Sequence, residues 1–202
     1  MVEPIELTSN YLRIKKKAIN SLPLRTYSGS IVLVDKPAQV MPAIEALQRE
    51  KVLGFDTESR PAFRKGEHYP PSVLQLGGTN HVYLFQIAKC KQFSDITALL
   101  SSPATLKVGV AIDEDIKKLQ GLNCFEPAGF IELSNYTRRK GILNTGLRSL
   151  VALYLGFRVS KVAQLSNWSH DRLNQTQIRY AATDAWACLM LYQHLNAWGI
   201  IP

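Results

Sequence analysis

Hydrophobic residues in this 202-residue chain fall into short β-branched runs and longer stretches with helical spacing. Ile31-Val32-Leu33-Val34 predicts a strand. Val52-Leu53-Gly54-Phe55 predicts a second, apolar on both faces and therefore buried, running directly into Asp56. Val73-Leu74-Gln75-Leu76 and Val82-Tyr83-Leu84-Phe85 predict a hairpin around Gly77-Gly78-Thr79-Asn80. The run from Leu106 to Ala111 predicts a further buried strand. Helical spacing over 42–51, 93–100, 113–119, 147–155 and 175–198 predicts helices, the first opened near its start by Pro42. Residues 59–71 carry prolines, Gly66 and several charges, and predict a loop. Strands first, then helices alternating with further strand, predict an α/β fold with a mixed sheet flanked by helices.

The candidate chemistry lies where acids interrupt this apolar pattern. Asp56-Thr57-Glu58 ends the second strand, and residues two apart on a strand share a face, so Asp56 and Glu58 converge on one point. Tyr180 and Asp184 lie four apart on the last helix and share a face of it. Asp113, Glu114 and Asp115 open the helix after the 106–111 strand. Any of the three is a candidate ligand, while Asp113 and Glu114 also suit the positive N-terminal end of a helix. Carboxylates close to a hydrophobic core are costly without a positive counterpart. Hard oxygen donors in this arrangement suit Mg²⁺ or Mn²⁺. Zinc hydrolysis is disfavoured, because no HExxH or other close His/Cys set appears.

Charge points the same way. The net charge of +8 favours a polyanionic partner, and the excess is spread over Arg13-Ile14-Lys15-Lys16-Lys17, Arg64-Lys65, Lys117-Lys118 and Arg138-Arg139-Lys140. A chain that is basic overall, yet gathers acids at a few core-flanking positions, fits a metal-dependent nuclease. The three cysteines have no CxxC spacing, and Met1-Val2-Glu3-Pro4 does not start a signal peptide. A cytoplasmic protein with reduced thiols is expected. No apolar run reaches the roughly 18 residues of a membrane helix, so no membrane partner is expected. The length suits one domain, divided here into a basic N-terminal extension, 1–26, and a main domain, 27–202.

Three blocks, Phe55-Asp56-Thr57-Glu58, Gly109 to Leu119, and Tyr180-Ala181-Ala182-Thr183-Asp184-Ala185, resemble in order the three motifs of the DEDD 3′–5′ exonucleases. The resemblance is closest to the Werner-type exonuclease domain within the wider ribonuclease D group. Gly146-Leu147-Arg148-Ser149-Leu150 and Leu165-Ser166-Asn167-Trp168-Ser169 extend it, so that it covers roughly 27–195. It implies a ribonuclease H-like mixed β-sheet flanked by α-helices. The motif spacing, set by Lys118-Leu119, selects Asp115 over Asp113, and Tyr180 marks the tyrosine subclass. The resemblance further implies two metal ions, with Asp56 bridging both, Glu58 and Asp184 completing the first site, and Asp115 supporting the second. The same resemblance implies that Tyr180 orients the attacking water. A phenol with a pKa near 10 is not itself the base.

The implied activity is 3′–5′ exonuclease cleavage that releases nucleoside 5′-monophosphates, with nucleic acid bearing a free 3′ end as partner. Thr57 is expected to meet the terminal nucleotide. Arg60, Arg64 and Lys65, in the loop after the first motif, are expected to reach phosphate or stack on a base. Gln75, Asn167 and Trp168 are assigned to packing or hydrogen bonding. Asp171-Arg172 differs from the basic-proline step common in ribonuclease D, and nothing in the spacing separates DNA from RNA. The basic residues 11–17 are expected to help hold substrate or to support an oligomer. The alternative is a catalytically silent nucleic-acid-binding module on the same fold, against which stand five intact motif positions.

Overall fold

Strand β4 (Val52–Ser59) runs through the middle of a six-stranded sheet and carries the first acidic motif. The computed structural model describes residues 5–8, 11–91 and 93–201; residues 1–4 and 9–10 of the N-terminal extension lie outside it. The remaining strands of the sheet are β3 (Ser30–Val34), β5 (Pro71–Gly77), β6 (His81–Gln86), β7 (Leu106–Gly109) and β8 (Phe130–Glu132). Their spatial order is β3-β6-β5-β4-β7-β8. β5 pairs antiparallel with β4 on one side and β6 on the other, whereas β3 joins β6, and β7 joins β4 and β8, in parallel. The sheet is therefore mixed, as the pattern of elements predicts.

Alternation along β4 separates its two faces. Leu53 and Phe55, both fully buried, enter a core with α2 (Val40–Leu47), α3 (Phe93–Leu100) and Ile112 and Leu119 at α4 (Asp113–Gln120). The opposite face is covered by α7 (Gln175–Ala197), whose Ala181, Ala182 and Ala185 pack on Val73, Val82 and Leu84. Helix α6 (Leu147–Leu155) and Leu133 of α5 (Leu133–Arg139) complete that layer. α7 starts on a capping box: Gln177 N–H donates to Asn174 Oδ1 at 2.9 Å, and Asn174 N–H to Gln177 Oε1 at 3.0 Å.

Several boundaries differ from the sequence expectation. The helix predicted over 42–51 is Val40–Leu47, with Pro42 inside its first turn, where a missing N–H breaks no helical bond. The strand predicted over 106–111 ends at Gly109, because Ala111 adopts a left-handed backbone with φ 62°. β4 outlasts its apolar run, since Asp56 and Glu58 pair in register with Gln75 and Val73 of β5. Not anticipated were the hairpin of β1 (Ile5–Thr8) and β2 (Tyr11–Ile14), helix α1 (Lys16–Ser21), β8 and α5. Residues 12–22 pack on the main domain: Ile14 and Ile19 bury against Ala152 of α6. Among the described residues no helix is long and apolar enough to cross a membrane.

Candidate active site

Glycines on the sheet allow α7 to bring its acid to β4. A Cβ on Gly54 would stand 1.8 Å from the carbonyl oxygen of Ala185, and one on Gly77 would stand 3.2 Å from the carbonyl carbon of the same residue. The helix backbone thus lies directly on the sheet at Ala185, one residue beyond Asp184. Asp184 descends from α7 while Asp56 and Glu58 rise from β4. One carboxylate oxygen from each of the three lies within 4.8 Å of the others. They sit on the floor of a groove of about 760 Å³.

Asp115 stands apart from that trio and is tied to it through Thr57, whose hydroxyl donates to Asp115 Oδ1 at 2.7 Å. The backbone N–H of Thr57 donates in turn to Oδ1 of Asp56 at 2.9 Å. Asp115 occupies the first turn of α4, so its position depends on the turn 110–112. Glu132 secures that turn: its Oε2 accepts from Ile112 N–H at 2.7 Å, and its Oε1 caps α5 by accepting from Ser134 N–H at 2.8 Å. Sequence reasoning did not find Glu132. The only signal was an acid directly before an unrecognised helix.

The electrostatics are those of acids crowded out of water. Burial holds the Asp56 carboxyl well above its ordinary range, and the charges of Asp184 and Asp115 add to the effect. Burial, then the fields of Asp56, Asp184 and Asp115, push Glu58 up to about 10. Burial raises Asp184 to about 7, opposed by a hydrogen bond from Tyr180 and the charge of Lys161. Asp115 is also raised by burial, against the pull of its Thr57 hydrogen bond. Crowded carboxylates of this kind are a fitting donor set for a hard divalent cation, which discharges their repulsion and satisfies their oxygens.

Tyr180 closes one side of the trio. Its ring packs on the buried Trp168, with centroids 6.0 Å apart, and its phenol hydrogen-bonds Asp184. Burial and the neighbouring Asp184 and Glu58 charges raise the phenol above its ordinary 10. Lys161 was not singled out from the sequence, because it lies in an irregular segment between α6 and α7 without a motif of its own. Gln75, expected to serve packing or hydrogen bonding, is fully buried opposite Asp56, and neither polar atom of its amide has a partner among the described residues.

The other expected contacts divide. Thr57 lines the groove, whereas Arg60, Arg64 and Lys65 do not. The Arg60 guanidinium lies over the Tyr69 ring, 4.8 Å from its centroid, and Arg64 and Lys65 are exposed on the 60–70 loop.

Comparison with known proteins identifies the family and the fold. The profile of a 3′–5′ exonuclease family matches residues 31–198. The exonuclease mut-7 homolog of Homo sapiens is 32% identical over 178 residues, which cover 74% of this chain and 20% of that protein. The bifunctional 3′–5′ exonuclease/ATP-dependent helicase WRN of Mus musculus is 31% identical over 190 residues, covering 89% of this chain and 14% of that protein. Ribonuclease D of Haemophilus influenzae is 30% identical over 169 residues, covering 82% and 41%. The chain therefore spans less than half the length of these relatives. Among solved structures, the EXO domain of Aedes aegypti Nibbler has the same fold, with a TM-score of 0.76 at 23% identity, covering 86% of this chain and 94% of that one. Escherichia coli RNase D gives a TM-score of 0.75 at 22% identity, covering 86% and 47%. With the matched profile spanning most of its length, the chain belongs to the 3′–5′ exonuclease family.

Proposed function

We propose that the groove hydrolyses phosphodiester bonds one nucleotide at a time from the 3′ end of DNA or RNA, releasing nucleoside 5′-monophosphates. The observation that carries this reading is the convergence of Asp56, Glu58 and Asp184 within 4.8 Å at the floor of an open groove. Residues 27–202 form the catalytic domain in this reading, and 1–26 an extension to it.

Asp56, Glu58 and Asp184 would hold one Mg²⁺ or Mn²⁺. Asp56 and Asp115 would hold a second. Two such ions, when bound, neutralise charge on the scissile phosphate and favour ionisation of the attacking water. The water oxygen bonds to phosphorus and gives up a proton to solvent, the bond from phosphorus to the 3′-oxygen of the preceding nucleotide breaks, and that oxygen takes a proton from solvent and leaves as a new 3′-hydroxyl. Tyr180, protonated throughout the working pH range, orients the water by donating or accepting a hydrogen bond. Thr57 fixes Asp115 and borders the terminal nucleotide. Arg60, Arg64 and Lys65 serve as outer contacts for the strand.

The test is a time course with 5′-labelled single-stranded DNA, recessed duplex DNA and RNA, each in Mg²⁺, Mn²⁺ or EDTA. A ladder shortening from the 3′ end, abolished by EDTA and by Asp56→Asn or Asp184→Asn, is expected. Strand binding with no cleavage in either metal would instead assign a silent binding module.

A further inference from the structure

An acidic floor repels the polyanion it is proposed to cut, so affinity for the strand has to come from the groove walls. One wall is built by a segment outside the family match, which begins at residue 31. Leu12 of β2 is hydrogen-bonded into the 141–143 loop: its N–H donates to Gly141 O at 2.9 Å, and its carbonyl accepts from Leu143 N–H at 3.0 Å. Ile14 at the end of β2 and Ile19 of α1 pack on Ala152 of α6, and Arg148 Nη2 donates to Asn20 Oδ1 of α1 at 2.7 Å. These anchors place Arg13 and Lys16 on the same groove that holds Asp56, Glu58 and Asp184.

The groove gains two more cations from the main domain. Arg148 and Lys161 line it, and the charge of Lys161 reaches Asp184. Two buried polar atoms in this lining, Arg148 Nε and Asn144 Oδ1, lack a hydrogen-bond partner among the described residues. Buried groups of this kind ordinarily find one, here from a ligand or solvent. Cations on the rim and acids on the floor sort a nucleic acid in register: the rim takes backbone phosphates, and the floor takes the one phosphate whose charge bound cations neutralise.

We propose that residues 13–19 form one wall of the nucleic-acid groove, in which Arg13, Lys16, Arg148 and Lys161 hold phosphates of a single strand on the 5′ side of the scissile bond. The proposal rests on the acids being the cleavage site. It makes the N-terminal segment part of the substrate site. Because phosphates carry no sequence information, binding at this wall is indifferent to base sequence.

The test uses the full chain and fluorescent, phosphorothioate-protected DNA and RNA strands of one sequence, with anisotropy read over a salt series in Mg²⁺. Each lost phosphate contact to a single strand lowers the log–log salt slope by about 0.7, so Arg13→Ala/Lys16→Ala is expected to lower it by about 1.4. Arg138→Ala/Arg139→Ala, which removes the same charge from residues outside the groove lining, is expected to leave the slope within error. Arg13→Lys/Lys16→Arg, which keeps both charges, is expected to restore it, excluding misfolding as the cause. An unchanged slope in the first variant, or an equal fall in the distal one, overturns the proposal. Cleavage of an unprotected strand by the unaltered protein in Mn²⁺ is scored separately. Cleavage with an unchanged slope rejects the wall alone, whereas the slope change without cleavage supports the wall and rejects the catalytic reading.

Discussion

The Thr57 hydroxyl donates to Asp115 Oδ1 at 2.7 Å, joining the strand that carries two acids of the site to the helix that carries a third. Thr57 is only 8% exposed, so water does not readily replace this donor. A buried hydrogen bond to a carboxylate is worth about 1.5–3 kcal/mol. Thr57→Val keeps the shape and removes the donor; it is expected to lower stability by about that much and to weaken cleavage, while Thr57→Ser retains both. Thermal unfolding and single-turnover cleavage of the two variants check this.

Gly54→Ala tests how α7 reaches the sheet. The added Cβ would lie 1.8 Å from the Ala185 carbonyl oxygen, a backbone atom that can retreat only if the helix moves. The expected destabilisation is at or above the upper end of the about 1–3 kcal/mol common for overpacking. Because Asp184 rides on the same helix turn, Mn²⁺ affinity is expected to fall along with stability. Chemical denaturation and metal titration of the folded variant measure the two effects.

The crowded acids make metal-free stability depend on pH. Glu58 rises to about 10 and Asp184 to about 7, from ordinary values of 4.5 and 3.8. The folded protein then binds these protons more tightly than the unfolded chain. The resulting stabilisation is complete below about pH 4 and is lost as pH climbs, through about 7 for Asp184 and toward about 10 for Glu58. Each proton contributes a slope of up to ~1.4 kcal/mol per pH unit. In EDTA the Tm is expected to fall from about pH 5 to about pH 9, and Mn²⁺ is expected to raise it most at the alkaline end. A Tm shift by Mn²⁺ that is independent of pH would contradict this assignment.

Tyr180→Phe separates packing from positioning. The ring retains its contact with Trp168, while the phenol's hydrogen bond to Asp184 is lost. A stability change of about 1 kcal/mol and a loss of roughly 10²-fold in the chemical step are expected. Since the phenol stays protonated, the residual pH–rate profile is expected to keep its shape. Rapid-quench kinetics across pH check both.

Much of the site was legible because each half obeys a local rule. Asp56 and Glu58 share a strand face, Tyr180 and Asp184 share a helix face, and the apolar run before Asp56 marks a central strand, as β4 is. Their meeting is not local. It depends on Gly54 and Gly77 admitting the α7 backbone, a contact between residues more than a hundred positions apart that no periodicity encodes. α5 was missed because Glu132, rather than a Ser, Thr, Asp or Asn, is its cap, and β8 is three residues long and runs straight into it. The N-terminal segment is legible only in part. Its basic run 11–17 suggests contact with substrate or a second copy, but nothing local marks Ile14 and Ile19, on either side of Lys15-Lys16-Lys17, as anchors buried against Ala152.

Anomalous scattering from crystals soaked in Mn²⁺ shows whether the three acids hold a metal. A manganese peak bounded by carboxylate oxygens of Asp56, Glu58 and Asp184, lost in Asp56→Asn, is expected. Clear density for all three side chains with no manganese between them would contradict that expectation.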